Sequence, residues 1–295
     1  MKKNILVIID EPGWAFDKVY QGLAKNSVKY NILPFYLRGT NHTDLSKIDL
    51  VLNLPDNYLA HIPHIQKATN APILQAIRSN VNLDIYENRQ VLEVYFTGLI
   101  CSNQDLFERF ENSHKNVFLA PGGVDTDFYE YKSKKLDETK PLVVGWAGSI
   151  GVFNAQFRGL NIIDSACCKL GWIFNPALAQ ERKRNADEMK RYYQDEIDFY
   201  VEMSESAGRQ NGLVEAMSCG VPSVSYSCGI AKQLFDGHIN LLETRDVNKL
   251  VDKLFTIKEN YEEESNKMRN LIIEDWSWKV HAKKFEDSFD SILEK

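Results

Sequence analysis

Tyr200–Val224, YVEMSESAGRQNGLVEAMSCGVPSV, contains one complete repeat of the fold. An apolar run ends at Ser204, a small polar loop containing Ala207 and Gly208 follows, and a helix-forming run begins near Gln210. Gly220-Val221-Pro222 then turns the chain into the next β-branched run, Ser223–Tyr226. Strand, loop, helix, turn and strand in that order form the unit of a parallel sheet covered by helices.

The same alternation extends outward in both directions. In the second half it predicts strands at Leu142–Ala147, Trp172–Asn175, Asp198–Met203, Ser223–Tyr226 and Ile239–Leu242. In the first half it predicts strands at Asn4–Asp10, Tyr30–Leu37, Leu50–Leu54, Pro72–Ile77, Gly98–Cys101 and Val117–Ala120. The lysine-rich stretch YKSKKLDETK, 131–140, interrupts the pattern and reads as a linker. Two doubly wound α/β domains are expected, residues 1–130 and 141–295. The segment from Asp246 carries apolar residues at three- and four-residue spacing, so C-terminal helices are expected to pack back toward the first domain.

Composition sets the outer bounds. With 295 residues, 44% of them hydrophobic, the chain exceeds what one small core needs. Its 35 basic residues against 41 acidic ones argue against nucleic acid as the partner. No apolar run reaches the ~18 residues of a membrane span. Asp10 and Glu11 interrupt the apolar N-terminal run, which therefore reads as a first strand rather than a signal peptide, and the protein as cytoplasmic. The five cysteines, Cys101, Cys167, Cys168, Cys219 and Cys228, lack zinc-ligand spacing and read as reduced core residues.

Open parallel sheets bind ligands outside the carboxyl ends of their strands, so the strand-to-helix loops carry the chemistry. After the first strand comes Glu11-Pro12-Gly13-Trp14, either a ligand-lining turn or a turn stapled to the core by its tryptophan. The run Leu142–Gly151, LVVGWAGSIG, places Gly145, Gly148 and Gly151 at three-residue intervals. That differs from the G-x-G-x-x-G of nicotinamide-binding folds, which weakens an oxidoreductase reading. Arg158-Gly159 follows, a cation just before a helix expected from Leu160, suited to gripping a phosphate. Glu215 lies one turn into the helix beyond the 204–210 loop; it either faces solvent or accepts paired hydroxyl hydrogen bonds from a ribose. The fourth segment is Asn116–Phe128, a strand, a glycine turn and an acidic, aromatic exit. His61 and His64 lack a third ligand and read as structural or surface residues, with a cleft role as the alternative and no metal site expected.

Three of these segments resemble the group 1 glycosyl transferases, retaining enzymes of the two-domain GT-B fold. Pro121-Gly122-Gly123-Val124-Asp125 through Phe128 is similar to their P-N-G-V-D-x-x-x-F turn, with Gly122 for Asn. Gly145–Ser149 with Arg158-Gly159 is similar to their G-W-x-G-S and Lys-Gly pair, and Leu213–Pro222 to L-L-E-A-M-A-C-G-x-P. The likeness is specific over residues 116–242 and only topological over 1–115.

The resemblance implies two Rossmann-like domains with a cleft between them, the donor on the second and the acceptor on the first. With the loop reading of Gly13, it leads to expected donor-binding roles for Gly13, Gly148, Ser149, Arg158, Ala207, Gly208, Arg209, Gln210, Asn211, Gly212, Leu213 and Glu215. Glu215 would hold the ribose, Arg158 the diphosphate, and the Gly208–Gly212 amides the sugar and its phosphate. Arg78, standing where relatives have a histidine, and Arg158 would act in catalysis. Ala207 departs from the family's Glu-x7-Glu signature, and Ser149 stands where an arginine is common.

The expected activity is transfer of a hexose-like sugar, with retention, from a nucleoside diphosphate to a hydroxyl of a glycan, a lipid-linked acceptor or a small molecule, with no further cofactor. Peripheral membrane contact is compatible with this reading, and the sequence does not fix the oligomeric state. The alternative is a sugar-nucleotide or glycan-binding protein on the same fold, which Ala207 favours.

Overall fold

Residues 2–55, 59–79, 83, 86, 89–137, 139–151, 155–238 and 240–294 are described by the computed structural model. The chain divides into two compact units, Met1–Gly123 with Trp278–Lys295, and Val124–Ser277.

The first unit holds β1 (Asn4–Ile9), α1 (Ala15–Asn26), β2 (Asn31–Tyr36), β3 (Leu50–Asn53), α2 (Ile62–Thr69), β4 (Ile73–Ile77), α3 (Arg89–Tyr95), β5 (Gly98–Cys101), α4 (Gln104–Phe110) and β6 (Val117–Leu119). Its strands pair in the order β2-β1-β3-β4-β5-β6, all parallel. In β1, Ile5, Val7 and Ile9 enter one core while Leu6 and Ile8 enter the core on the opposite face. Burial on both faces explains why this strand reads as an unbroken apolar run. The chain leaves β1 toward β2 on one side and returns to β3 on the other, so the switch point lies between β1 and β3.

The second unit holds β7 (Val143–Gly148), α5 (Leu160–Leu170), β8 (Ile173–Leu178), α6 (Ala186–Arg191), β9 (Phe199–Glu202), α7 (Asn211–Ser218), β10 (Ser223–Tyr226), α8 (Ala231–Leu234), β11 (Leu241–Leu242), α9 (Val247–Glu259) and α10 (Tyr261–Asp275). Its sheet is also parallel, in the order β11-β10-β9-β7-β8, with the switch point between β7 and β9.

All eleven expected strands form. The last is shorter than expected, and Ile239 lies outside the described residues. The last helix, α11 (Trp278–Leu293), belongs to the first unit, where Trp278, Phe285, Phe289 and Ile292 fill the core that holds Ile5 and Val7. Gly22 of α1 lies under the Trp278 indole, and a Cβ there would come within 2.1 Å of the ring. Of the C-terminal helices, only α11 joins the first unit; α9 and α10 stay with the second.

The division also falls elsewhere than at the lysine-rich stretch. Lys132 N–H donates to the Cys219 carbonyl at 3.2 Å, and Lys134 Nζ pairs with Asp198 at 2.6 Å. The Tyr131 ring covers Gly220, where an added Cβ would sit 2.5 Å from it. These lysines answer acidic and carbonyl groups of the second unit, to which residues 124–140 belong; Glu138 lies outside the described residues. Four of the cysteines are buried, but Cys168 is exposed, because on a helix it faces away from its buried neighbour Cys167.

Candidate active site

In the second unit both switch-point loops are built by close approaches at glycine. Gly159, the residue before α5, has φ +71°, and a Cβ on it would sit 2.3 Å from the Met203 carbonyl oxygen. Only glycine lets the start of α5 lie against the carboxyl end of β9. Gly212 in the first turn of α7 is equally tight, since a Cβ would meet the Tyr200 hydroxyl at 2.3 Å. That hydroxyl lies 3.3 Å from Ala147 N, so β7, β9 and the start of α7 meet at one point. Gly229, with φ +56°, closes on the Ala207 and Gly208 carbonyls, which a Cβ would approach to 2.7 and 2.5 Å.

The expected donor residues fall into two sets. Gly148, Ser149 and Arg158 come together at the carboxyl end of β7, where Arg158 Nε donates to the Ser149 carbonyl at 3.2 Å. Gln180, from the turn after β8, steadies that loop by accepting from Ile150 N at 3.2 Å and donating to Ser149 Oγ. The other set, Ala207–Leu213 and Glu215, lies on the loop after β9 and on α7. Within it the Gln210 side chain holds protein, donating to the Cys228 carbonyl at 3.1 Å and accepting from Ile230 N at 3.1 Å. Leu213 is fully buried in the core. Asn211 Oδ1 accepts from Arg209.

Glu215 does not face solvent. It is 5% exposed, and Tyr193 donates its hydroxyl to Oε2 at 3.1 Å. Tyr129 is a further neighbour: burial first, then the Glu215 charge and a hydrogen bond to it, push the phenol pKa up. Arg209 is half-buried. Desolvation there pushes its pKa down to about 10, with Glu215 and Tyr129 pulling the other way.

Four residues of this unit escaped the sequence reading. Glu202 is 5% exposed at the end of β9, and its Oε1 accepts from Ser204 N at 2.9 Å and Ser204 Oγ at 2.5 Å. Burial raises its pKa, opposed by these bonds, by Trp146 and by the nearby Arg158 charge. Its signal was a carboxylate inside an apolar strand, FYVEM. Arg245 donates to the Met203 carbonyl at 2.9 Å and the Gln156 carbonyl at 2.6 Å, fixing the turn that presents Arg158. Arg269 donates to the carbonyls of Thr126, Tyr129 and Ser218. Gln180 and these two arginines act across long sequence separations and left no local pattern.

In the first unit, Gly13 has φ +80°, and its N–H is taken by Asp17 Oδ2 at 2.7 Å. Trp14, beside it, is 45% exposed. Arg78, just beyond β4, donates to the Pro121 carbonyl at 3.4 Å. His61 is half-buried and bonded to Asn53 at 3.0 Å. Among the described residues no group of three or more His, Cys, Asp or Glu side chains is placed to hold a metal ion, and no helix is long and apolar enough to cross a membrane.

No protein-family model and no curated protein matches this chain in sequence. Solved structures match over its whole length. Sucrose-phosphate synthase of Thermosynechococcus elongatus aligns with a TM-score of 0.74 at 11% identity, covering 99% of this chain and 100% of that one. A glycosyltransferase of Rickettsia africae aligns at 0.72 and 13% identity, covering 100% and 99%. The chain has the GT-B glycosyltransferase fold. Anabaena HepE, solved with UDP and glucose, aligns on the same GT-B frame at 0.70 and 14% identity, covering 98% and 100%.

Proposed function

We propose that this protein is a cytoplasmic, retaining glycosyltransferase that moves a hexose-like sugar from a nucleoside diphosphate to a hydroxyl acceptor. The observation that carries the reading is the pair of glycine-tight helix starts at the β7/β9 switch point, with Arg158 beside one and buried Glu215 in the other. Helix starts present unbonded amides and a partial positive charge, the environment a diphosphate needs. Glu215 takes the ribose hydroxyls, and Arg158 with the amides near Gly208 receives the charge that develops as the diphosphate leaves. Stabilising that charge in the transition state is what accelerates transfer. HepE, solved also with UDP-glucose, supports a nucleoside diphosphate hexose as donor.

The test is release of nucleoside diphosphate from a panel of nucleotide sugars, with and without sugar acceptors. Release stimulated by acceptor supports transfer. Tight nucleotide binding with no release under any condition would favour a sugar-nucleotide-binding protein, the reading that Ala207 supports. Arg158→Ala should weaken binding of the diphosphate more than of the bare nucleoside, because the contact is to phosphate oxygens; equal weakening would make Arg158 a structural residue.

A further inference from the structure

At the carboxyl edge of the first sheet, three buried or half-buried polar side chains form a chain whose proton positions are fixed by their partners. Gln75 Nε2 lies 2.8 Å from the Ala76 carbonyl, which can only accept, so this atom is the amide nitrogen and Oε1 is an acceptor. Asn53 Nδ2 lies 3.0 Å from the Pro55 carbonyl and 2.6 Å from Gln75 Oε1, so both its hydrogens are committed. Asn53 Oδ1 is therefore left as an acceptor facing His61 Nε2 at 3.0 Å. His61 must carry its proton on Nε2, which leaves Nδ1 with a lone pair. Burial pushes the ring pKa down to about 4, so it is neutral near pH 7.

The position of this chain gives the lone pair a use. Asn53 ends β3, pairs in register with Ile8 of β1, and flanks the switch point where open α/β sheets take ligands. Just past the end of β1, Asp10 has a buried Oδ1 with no hydrogen-bond partner among the described residues. The same loop carries the part-exposed Trp14 indole. A hydrogen-bond acceptor beyond β3, and another with an aromatic surface on the loop after β1, suit a molecule with several hydroxyls and an apolar C–H face.

We infer that His61 is an acceptor-positioning residue, its Nδ1 receiving a hydrogen bond from a hydroxyl of a carbohydrate acceptor bound at the β1/β3 crossing. The inference rests on the glycosyltransferase reading, and it names a sugar as the acceptor.

The experiment uses the full chain labelled with 15N-histidine at pH 7 and titrated with methyl glycosides of glucose, galactose and N-acetylglucosamine. The expected spectrum shows His61 protonated on Nε2 alone, with the Nδ1 resonance moving as a glycoside binds. A proton on Nδ1, or no movement with any glycoside, overturns the inference. In the transfer assay His61→Leu should lower kcat/KM for the sugar acceptor at least tenfold while the Kd for nucleoside diphosphate stays unchanged. His61→Gln, whose amide can donate to Asn53 and still offer an oxygen, should recover most of that loss. Unchanged transfer by His61→Leu, or an equal fall in diphosphate affinity, overturns the assignment. If the wild-type chain binds no nucleotide sugar, the donor reading fails on its own, and the glycoside titration still decides the role of His61.

Discussion

The two sheets share a parallel, doubly wound plan, yet their carboxyl edges are assembled by different means. In the first unit the edge is held by side chains: Asn53, Gln75 and His61 bond in series, and Asp17 accepts from Gly13, Gln21 and Tyr36. In the second unit strands and helix starts close up at Gly159, Gly212 and Gly229, where no methyl group fits, and Gln180, Gln210 and Arg245 bond the loops around them. Side-chain networks fix particular proton positions, whereas glycine contacts bring helix starts close to strands and whatever binds there. Under the proposed function the first edge would take hydroxyl groups and the second an anion.

The largest loss is expected at Gly159. Gly159→Ala combines a left-handed φ with a clash against the Met203 carbonyl, and should cost about 3 kcal/mol of stability in urea titration. A loss below 1 kcal/mol would show that the edge tolerates side chains after all.

Glu215→Gln comes next. It should weaken nucleoside diphosphate binding by about 1.5–3 kcal/mol in calorimetry, the range for a hydrogen bond to a charged group. Unchanged affinity would confine Glu215 to holding Tyr193.

The side-chain edge is tested by acid. The His61 pKa is about 4 in the folded chain against an ordinary histidine value of 6.5, so on acidification the unfolded state takes up this proton first. Stability should therefore fall as pH drops from 6.5 through 4, with no contribution from this residue above that window. His61→Gln should lose less over the same window, by on the order of 1–2 kcal/mol once solvent screening of a half-exposed ring is allowed for. Parallel pH profiles would mean that the ring is not held neutral.

The smallest effect is expected at Gly13→Ala. It has a left-handed φ but nothing within 4 Å of an added Cβ, so about 1 kcal/mol is expected from strain alone. A cost matching Gly159→Ala would erase the distinction between the two edges.

The same contrast explains what could be read from the sequence. Eleven strands were legible because their apolar runs are short, β-branched and regularly spaced, and the second unit's loops were legible because glycines mark them. Asn53 and Gln75 were not, since each sits inside an apolar run where nothing local distinguishes a hydrogen-bonded amide from a strand interruption. The burial of Glu215 was left open because helical spacing alone does not say whether a carboxylate among Leu213, Val214, Ala216 and Met217 meets a tyrosine. The boundary at Gly123 was hidden because lysines that snorkel onto a surface have the composition of a linker. Gln180, Arg245 and Arg269 join segments far apart in sequence, a relation that periodicity cannot carry.

The placement of α11 also constrains the order of assembly on the ribosome. The first unit is synthesised first, but its helix Trp278–Leu293 emerges only after all of residues 124–277. Until then the apolar face around Ile5, Val7 and Val19 lacks Trp278, Phe285 and Phe289, leaving a nascent sheet that would bind chaperones. The second unit is continuous and can fold while its predecessor waits. Val124 and Ser277 are bridged, so excising the segment between them and joining Gly123 to Trp278 through a few residues would give a chain in which the first unit closes as soon as it is made.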